Sequence, residues 1–234
     1  MRIGLHLSIQ GSIDQVVDRA MERNCNTFQM FSRNPRGWQA KELEVGELES
    51  FKEKLTESEI WPVFIHTAYL LNLASPKEDV YRRSVRALKE ELQRADKLGV
   101  PYVVTHIGSH LGHGKSEGFR RITEAVNHSF STVKNDVVLL LENTAGTRNS
   151  MGSYFEDLER IISRIEDRKR VGVCFDTCHA YAAGYDLVSQ GALQHTLQRL
   201  DEVIGFEKLR LVHLNDSKGG LGSKIDRHEH IGIG

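Results

Sequence analysis

The stretch VGVCFDTCHAYAAG, residues 171–184, begins like a buried strand and ends in side chains that commonly bind metals. Its first five residues alternate large apolar side chains with smaller ones, as a strand does. Asp176 then closes the strand, and His179 follows three residues later. A single strand with such an ending predicts little, so the prediction of fold and chemistry depends on whether the ending recurs along the chain.

Six further short runs have the apolar, β-branched character of strands. They are residues 3–7, 27–31, 62–66, 102–106, 137–142 and 209–214. Between them lie helical patterns, for example Leu88, Leu92 and Ala95 at helical spacing. Strands that alternate with helices, without a linker, predict one α/β domain over residues 1–234 with a parallel sheet. Seven such units indicate a (β/α)8 TIM barrel that is one unit short.

Composition and charge exclude several classes of protein. The chain of 234 residues is 39% hydrophobic and 27% charged, and no apolar run approaches the roughly 18 residues of a membrane helix. Its three cysteines form no disulfide framework, and Cys174 and Cys178 are expected to be buried free thiols. We therefore expect a cytoplasmic protein. The net charge of −1 gives no electrostatic case for nucleic acid by itself.

Several predicted strands end in residues that can bind metal ions. The C-terminal ends of barrel strands meet at one functional rim. The candidates there, including the loops after the sixth and seventh strands, are His66, His106, Glu142, Asp176, His179, His213, Asp226 and His228. A single His is more often a core group, and a single carboxylate often caps a helix. Crowded carboxylates are unfavourable unless cations neutralise them, so the whole set predicts a metal centre.

The ligand types indicate which metal this centre would hold. Five imidazoles and three carboxylates without an obligatory thiolate suit zinc, with manganese or iron as substitutes. Magnesium and calcium prefer mostly oxygen ligands. Eight ligands are too many for one tetrahedral ion, so two or three ions are implied.

Eight motifs occur in order along the whole chain: GLHLSIQGS, MFSRNPRGW, HTAYLLNLAS, THIGSH, LENTAG, FDTCHAYAAGYD, HLNDSK and DRHEHIGIG. Together they resemble the endonuclease IV family of apurinic/apyrimidinic endonucleases. The resemblance implies a (β/α)8 barrel of the xylose isomerase-like type with up to three zinc ions. It also implies a DNA repair hydrolase that cuts double-stranded DNA on the 5′ side of abasic sites and leaves a 3′-hydroxyl.

The resemblance assigns a role to each candidate ligand. By motif, His66 and His106 would hold the first zinc ion, and Asp176 and His213 would hold the second. Glu142 would bridge these two ions. The third ion would be held by His179, Asp226 and His228. Glu142 would then act in catalysis together with a zinc-bound hydroxide that attacks phosphorus, without a side-chain nucleophile.

The resemblance also points to residues that would bind the substrate. Arg36 in NPRGW, and Tyr69 and Leu70 in HTAYLL, match positions that the family inserts into DNA at the abasic site. Such a wedge is physically reasonable because the missing base lowers the energy of unstacking. Without the resemblance, the same residues would be a solvated loop charge and two side chains capping the barrel rim.

The C-terminus departs from the family pattern. Family members continue past the HIGIG turn with a helix, an eighth strand that supplies a glutamate to the zinc pair, and a last helix. This chain ends at Gly234. We therefore expect seven strands, a gap at the eighth, and a monomer whose open first and seventh strands allow association. The sequence leaves open whether the chain is a fragment or a short form.

Two other functions fit part of the pattern. A sugar isomerase of the xylose isomerase type shares the barrel and the strand-end metals. Its ligands are mostly carboxylates, however, and the loops of Arg36 and Tyr69 would have no role in it. Alternatively, a truncated barrel could bind zinc or abasic DNA with weak or no catalysis.

Overall fold

The computed structural model describes residues 1–234 and contains one curled sheet of seven parallel strands, paired in chain order. The strands are β1 (Gly4–Leu7), β2 (Thr27–Phe31), β3 (Val63–His66), β4 (Tyr102–His106), β5 (Val138–Glu142), β6 (Val171–Asp176) and β7 (Leu209–His213). Their ends differ from the predicted ones by no more than one residue. β1 pairs only with β2, and β7 only with β6, so the predicted open barrel of seven strands is confirmed.

Helices follow the strands and cover the outside of the sheet. They are α1 (Gln15–Glu22), α2 (Val45–Glu57), α3 (Glu78–Leu98), α4 (Lys115–Thr132), α5 (Phe155–Ile162), α6 (Thr177–Ala183) and α7 (Gln190–Val203), with 3-10 turns at Arg168–Arg170 and Phe206–Lys208. None of these helices combines the length and the apolar character that crossing a membrane requires.

Helix α3 illustrates how the sequence ends a helix and starts a strand. Gly99 has a φ of 71°, in the left-handed region that glycine adopts without strain. Val100 then donates its N–H to the carbonyl of Ala95 at 2.8 Å. Pro101 prevents the helix from continuing, so the chain turns directly into β4.

The two faces of the sheet carry two separate apolar clusters. Residues on the outer face pack against the helices in a cluster of 47 buried residues. A small inner cluster of Phe64, Val104, Leu140 and Cys174 fills the barrel. Side chains on a strand alternate between faces, so the residue two positions further on also points inward. This period places a metal-capable residue directly above each member of the inner cluster.

A short hairpin follows β7 and was not predicted. β8 (Asp216–Ser217) pairs with β9 (His228–Glu229) in antiparallel register. Lys218 donates its N–H to the carbonyl of Arg227 at 2.9 Å and extends the pairing. The hairpin folds the C-terminal segment back over α6, which brings the region around Asp226 to the barrel rim.

Candidate metal centre

Glu142, at the end of β5, lies at the centre of the candidate site and is almost fully buried. Its Oε2 lies 3.1 Å from His66 Nε2 and 3.0 Å from His106 Nε2. Its Oε1 lies 2.9 Å from His213 Nδ1. The two oxygens of this carboxylate therefore face two different groups of imidazoles, from β3 and β4 on one side and from β7 on the other.

Asp176 ends β6 and caps α6. Its Oδ1 accepts the N–H of His179 at 2.8 Å, and its Oδ2 accepts from the Asn215 side chain at 2.8 Å. The same Oδ2 lies 3.8 Å from His213 Nδ1 and 3.8 Å from His228 Nε2. One buried carboxylate thus faces both neighbouring groups of imidazoles.

The third group combines α6 with the hairpin segment. His179 Nε2 lies 3.2 Å from Asp226 Oδ1 and 3.2 Å from His228 Nε2. His228 Nε2 also lies 3.5 Å from Asp226 Oδ1. Two ring nitrogens that face each other at this distance need a proton or a cation between their lone pairs.

The donor set fits zinc. The donor atoms lie within 4.8 Å of one another inside each of three groups: His66, His106 and Glu142; Glu142, Cys174 and His213; and His179, Asp226 and His228. Imidazole and carboxylate donors in sets of three leave a position of a tetrahedral ion open for water or substrate.

Cys174 belongs to one of these groups by position but not by chemistry. It is fully buried and forms no disulfide, like Cys178. Burial raises the pKa of the Cys174 thiol well above its ordinary value, and the carboxylates of Glu142 and Asp176 raise it further. Because the thiolate is the form that binds metals, Cys174 is a poor ligand here.

The charges around Glu142 are balanced in the metal-free protein by its imidazole neighbours. Burial alone would raise the pKa of Glu142, but the charge of His106 and hydrogen bonds from His106, His213 and His66 hold it well below its ordinary value. Burial lowers the pKa of His66, against the opposing effect of Glu142. Burial also acts to lower the pKa of His106, but the Glu142 charge outweighs it and raises that pKa.

In the third group, too, neighbouring charges and hydrogen bonds outweigh the effect of burial on the pKa. Burial acts to lower the pKa of His179, yet its hydrogen bond to Asp226 and the charges of Asp176 and Glu142 raise it to about 9. The hydrogen bond with His179 lowers the pKa of Asp226. A proton therefore occupies this group in the metal-free protein and has to leave when a metal ion binds.

Backbone carbonyls orient two of the imidazoles. His66 Nδ1 lies 2.8 Å from the carbonyl of Thr67, and His179 Nδ1 lies 2.9 Å from the carbonyl of Asn143. A carbonyl only accepts, so each Nδ1 carries a hydrogen, and Nε2 is the atom that would present a lone pair to a metal ion after losing any hydrogen it carries. This is the arrangement expected of metal-binding histidines.

Sequence reasoning missed several polar residues that support the candidate ligands. Asn143 exchanges hydrogen bonds with the backbone of Asp176, and Asn215 binds its carboxylate. Gln29 on β2 and His6 on β1 face the same interior, and Gln29 lies between His6 and His213. A signal was present, because a polar residue inside an apolar run such as TFQMF has to find a buried partner.

The predicted substrate-binding residues lie beside the metal centre. Tyr69 is 62% exposed, and its ring centroid lies 6.2 Å from that of His66. Its N–H donates to the carbonyl of Pro35 at 3.0 Å, which joins its loop to the loop of the exposed Arg36. Leu70 is half-buried next to Tyr69. The structure therefore places the Tyr69 ring beside a candidate ligand and joins its loop to that of Arg36.

Residues 17–234 match the family model described as xylose isomerase-like TIM barrel. A probable endonuclease 4 from Methanoculleus marisnigri is 51% identical over 233 residues, which cover 99% of this chain and 83% of that protein. A probable endonuclease 4 from Nitrosopumilus maritimus is 48% identical over 236 residues, which cover 100% of this chain and 84% of that protein.

Solved structures agree with these relatives. The crystal structure of endonuclease IV from Thermus thermophilus has a TM-score of 0.89 and 38% identity, and the match covers 100% of this chain and 83% of that one. A D-tagatose 3-epimerase-like protein has a TM-score of 0.73 at 20% identity, covering 99% of this chain and 81% of that one, and is alike in fold alone. As its motifs predicted, the chain belongs to the endonuclease IV family within the xylose isomerase-like TIM barrels.

Proposed function

We propose that this chain, as a single barrel domain over residues 1–234, is a DNA repair endonuclease that hydrolyses the phosphodiester 5′ to abasic sites. The observation that carries the proposal is the convergence of five imidazoles and three carboxylates in three adjoining groups at one barrel rim. The similar proteins named endonuclease 4 support the reaction class.

The proposed cofactor is zinc, up to three ions, with manganese as a substitute. When bound, zinc would activate water for attack on phosphorus and offset negative charge that builds on the phosphoryl oxygens. We propose three sets of ligands: His66 and His106; Asp176 and His213; and His179, Asp226 and His228. Glu142 would be shared by the first two, and Asp176, whose Oδ2 lies 3.8 Å from His213 Nδ1, replaces Cys174 in the second.

The protein's own contribution is to hold these donors in place. Glu142 lies at the end of β5, and its two carboxylate oxygens face different imidazoles before any ion binds. Asp176 accepts the His179 N–H at Oδ1 and the Asn215 amide at Oδ2, and Asn143 holds its backbone. Prepositioned donors lower the reorganisation needed during the reaction, which is where much of the rate enhancement in phosphoryl chemistry arises.

Charge also explains how a nearly neutral chain can attract DNA. The chain has a net charge of −1, and three carboxylates lie at the proposed site. Three divalent cations would outweigh these carboxylates and leave a local excess of positive charge. We therefore propose that the metal centre itself is the main attraction for the phosphate backbone.

Arg36, Tyr69 and Leu70 are proposed to contact DNA at the abasic site. Tyr69 is exposed beside the centre and tied to the Arg36 loop by one backbone hydrogen bond. Tyr69→Ala should weaken binding of abasic duplex by about 1 to 3 kcal/mol, the typical range for base–aromatic stacking, and leave binding of intact duplex almost unchanged. Fluorescence anisotropy measures both affinities, with the exposed Tyr154→Ala as the matched control. An equal loss on both duplexes would contradict this role.

The proposed function is tested by incision of a duplex that carries one abasic site. The zinc-loaded chain should cut the strand 5′ to the site, spare the intact duplex, and lose activity when a chelator removes the metal. His228→Ala should also lack activity. Binding of abasic duplex without incision in excess zinc would instead favour a binding protein. Turnover of an aldose or ketose without incision would favour a sugar isomerase.

We also propose that the chain acts as a monomer whose free strand edges allow association at high concentration. β1 and β7 each lack a neighbour on one side, and Leu5 and Val212 on them are exposed. Sedimentation velocity should show a monomer at low concentration and larger species as concentration rises. Leu5→Lys should suppress the larger species, because charged side chains protect sheet edges. A stable dimer at the lowest concentrations would contradict this proposal.

The cytoplasm is the proposed location. All three cysteines are free and buried, and no pair forms a disulfide. Free thiols of this kind are typical of reducing compartments.

A further inference from the structure

Three side chains, the exposed His6, the buried Gln29 and the half-buried His213, form a continuous chain of hydrogen bonds from β1 to the candidate metal centre. His6 Nδ1 lies 2.9 Å from Gln29 Nε2, and Gln29 Oε1 lies 2.8 Å from His213 Nε2. His213 Nδ1, on the other side of the ring, lies 2.9 Å from Glu142 Oε1. Gln29 is buried, so its amide has no bulk water with which to replace these bonds.

His213 differs from the other oriented imidazoles of the centre. His66 and His179 use backbone carbonyls at Nδ1 and therefore present Nε2 to the centre. His213 is turned the other way and presents Nδ1, and no backbone carbonyl contacts its Nε2 in the structure. At Nε2, the only side chain that can favour one tautomer of this ring is Gln29, while Glu142 contacts Nδ1.

We propose that Gln29 is a positioning residue that commits His213 to bind a metal ion through Nδ1, with His6 contacting the amide nitrogen of Gln29. The inference rests on the proposed metal centre. A neutral imidazole that binds a metal through Nδ1 carries its hydrogen on Nε2, so the group facing Nε2 has to be an acceptor.

His6 supplies the second half of this mechanism. The amide of Gln29 can present either its oxygen or its nitrogen to His213, and only the oxygen accepts a hydrogen bond. A neutral His6 that carries its hydrogen on Nε2 accepts at Nδ1 from the amide nitrogen of Gln29, 2.9 Å away. The oxygen of Gln29 is then left for His213.

Two substitutions of nearly equal size separate this role from simple packing. Gln29→Met keeps the length of the side chain but removes the acceptor. Gln29→Glu keeps an acceptor oxygen for His213, and His6 can shift its hydrogen to Nδ1 and donate to the new carboxylate. If Gln29 only filled space, Met would replace it better than Glu, since a buried carboxylate is the less favourable of the two.

The first readout is zinc affinity, measured by competition with a chromophoric chelator. We expect Gln29→Met to lower the affinity of the zinc site that contains His213 by about 10- to 100-fold, the usual effect of removing a group that orients a ligand. Gln29→Glu should remain close to wild type. Gln198→Met on the surface of α7 is the control. Equal affinity of Gln29→Met and wild type would overturn the proposal, as would a Glu variant weaker than the Met variant.

The second readout does not depend on whether the variants fold. Nitrogen NMR of the zinc-loaded wild-type chain, labelled on histidine, should show zinc on Nδ1 and hydrogen on Nε2 of His213. His66 and His179 should show the reverse pattern. Zinc on Nε2 of His213 would refute the proposal while leaving the metal centre in place. A wild-type chain that binds no zinc would refute the metal centre itself, and the inference with it.

Discussion

Replacing Glu142 with glutamine should lower the rate of abasic-site incision by about 10³-fold, because several kcal/mol of charge stabilisation are lost at about 1.4 kcal/mol for each factor of ten. Glu142 alone presents one oxygen to His66 and His106 and the other to His213. An amide keeps the shape of this side chain but removes the negative charge and one acceptor oxygen. The two ligand groups that share Glu142 would then both lack its negative charge.

Single-turnover incision with enzyme in excess measures this loss without interference from product release. The zinc content of the variant, measured in parallel, should fall as well, because two of the three groups share this carboxylate. Glu166→Gln is the matched control, since Glu166 is exposed and precedes β6 at the opposite end of the barrel. Incision by Glu142→Gln at a rate near that of wild type would remove Glu142 from the proposed mechanism.

The positions of the candidate ligands could be predicted because they follow from local rules. Apolar runs fix the strands, strand ends meet at one rim of a parallel barrel, and the two-residue period decides which face each side chain occupies. His66, His106 and Glu142 each follow an inner-cluster residue by two positions, and only a one-residue shift in strand register, not an error at a strand end, would turn them outward. The small errors at the strand ends did not shift this period.

The partners that orient these ligands could not be predicted in the same way. Gln29 and His213 are 184 positions apart in the sequence, and the curvature of the seven-stranded sheet brings them together across the barrel interior. The hairpin of β8 and β9 has strands of two residues, which are too short for a periodic pattern. Long-range hydrogen bonds of this kind depend on side-chain geometry, and a sequence pattern records only that a polar residue needs a partner.

The buried ion pair between Arg33 and Glu91 was missed for the same reason, because SRNPRGW has the composition of an exposed loop. Arg33 Nε lies 2.5 Å from Glu91 Oε1, and each side chain is only 1% exposed. Ser32 donates its hydroxyl to the other Glu91 oxygen at 2.6 Å. Helix α3 thus holds the start of the β2–α2 loop, which continues to Arg36.

Glu91→Ala should lower the free energy of unfolding by about 3 to 5 kcal/mol, because it removes the buried partner of Arg33 and leaves the buried guanidinium only the more exposed carboxylate of Glu90. Glu90→Ala is the matched control. Glu90 contacts the same guanidinium at 2.8 Å, but its side chain is 40% exposed, so its loss should cost no more than about 1 kcal/mol. Denaturant unfolding of the metal-free chain measures both values. Similar losses for the two variants would show that burial of the pair does not control its contribution.

A double variant, Arg33→Met with Glu91→Met, separates the charge from the packing. The Nε–Oε1 contact is close but poorly aligned for a hydrogen bond, and Arg33 Nη2 has no hydrogen-bond partner. An ion pair that satisfies its buried groups this incompletely regains little of its desolvation energy. Replacing both charges with apolar side chains should therefore restore most of the stability lost in Glu91→Ala. If the double variant is as unstable as the single one, the loss comes from packing rather than from an uncompensated charge.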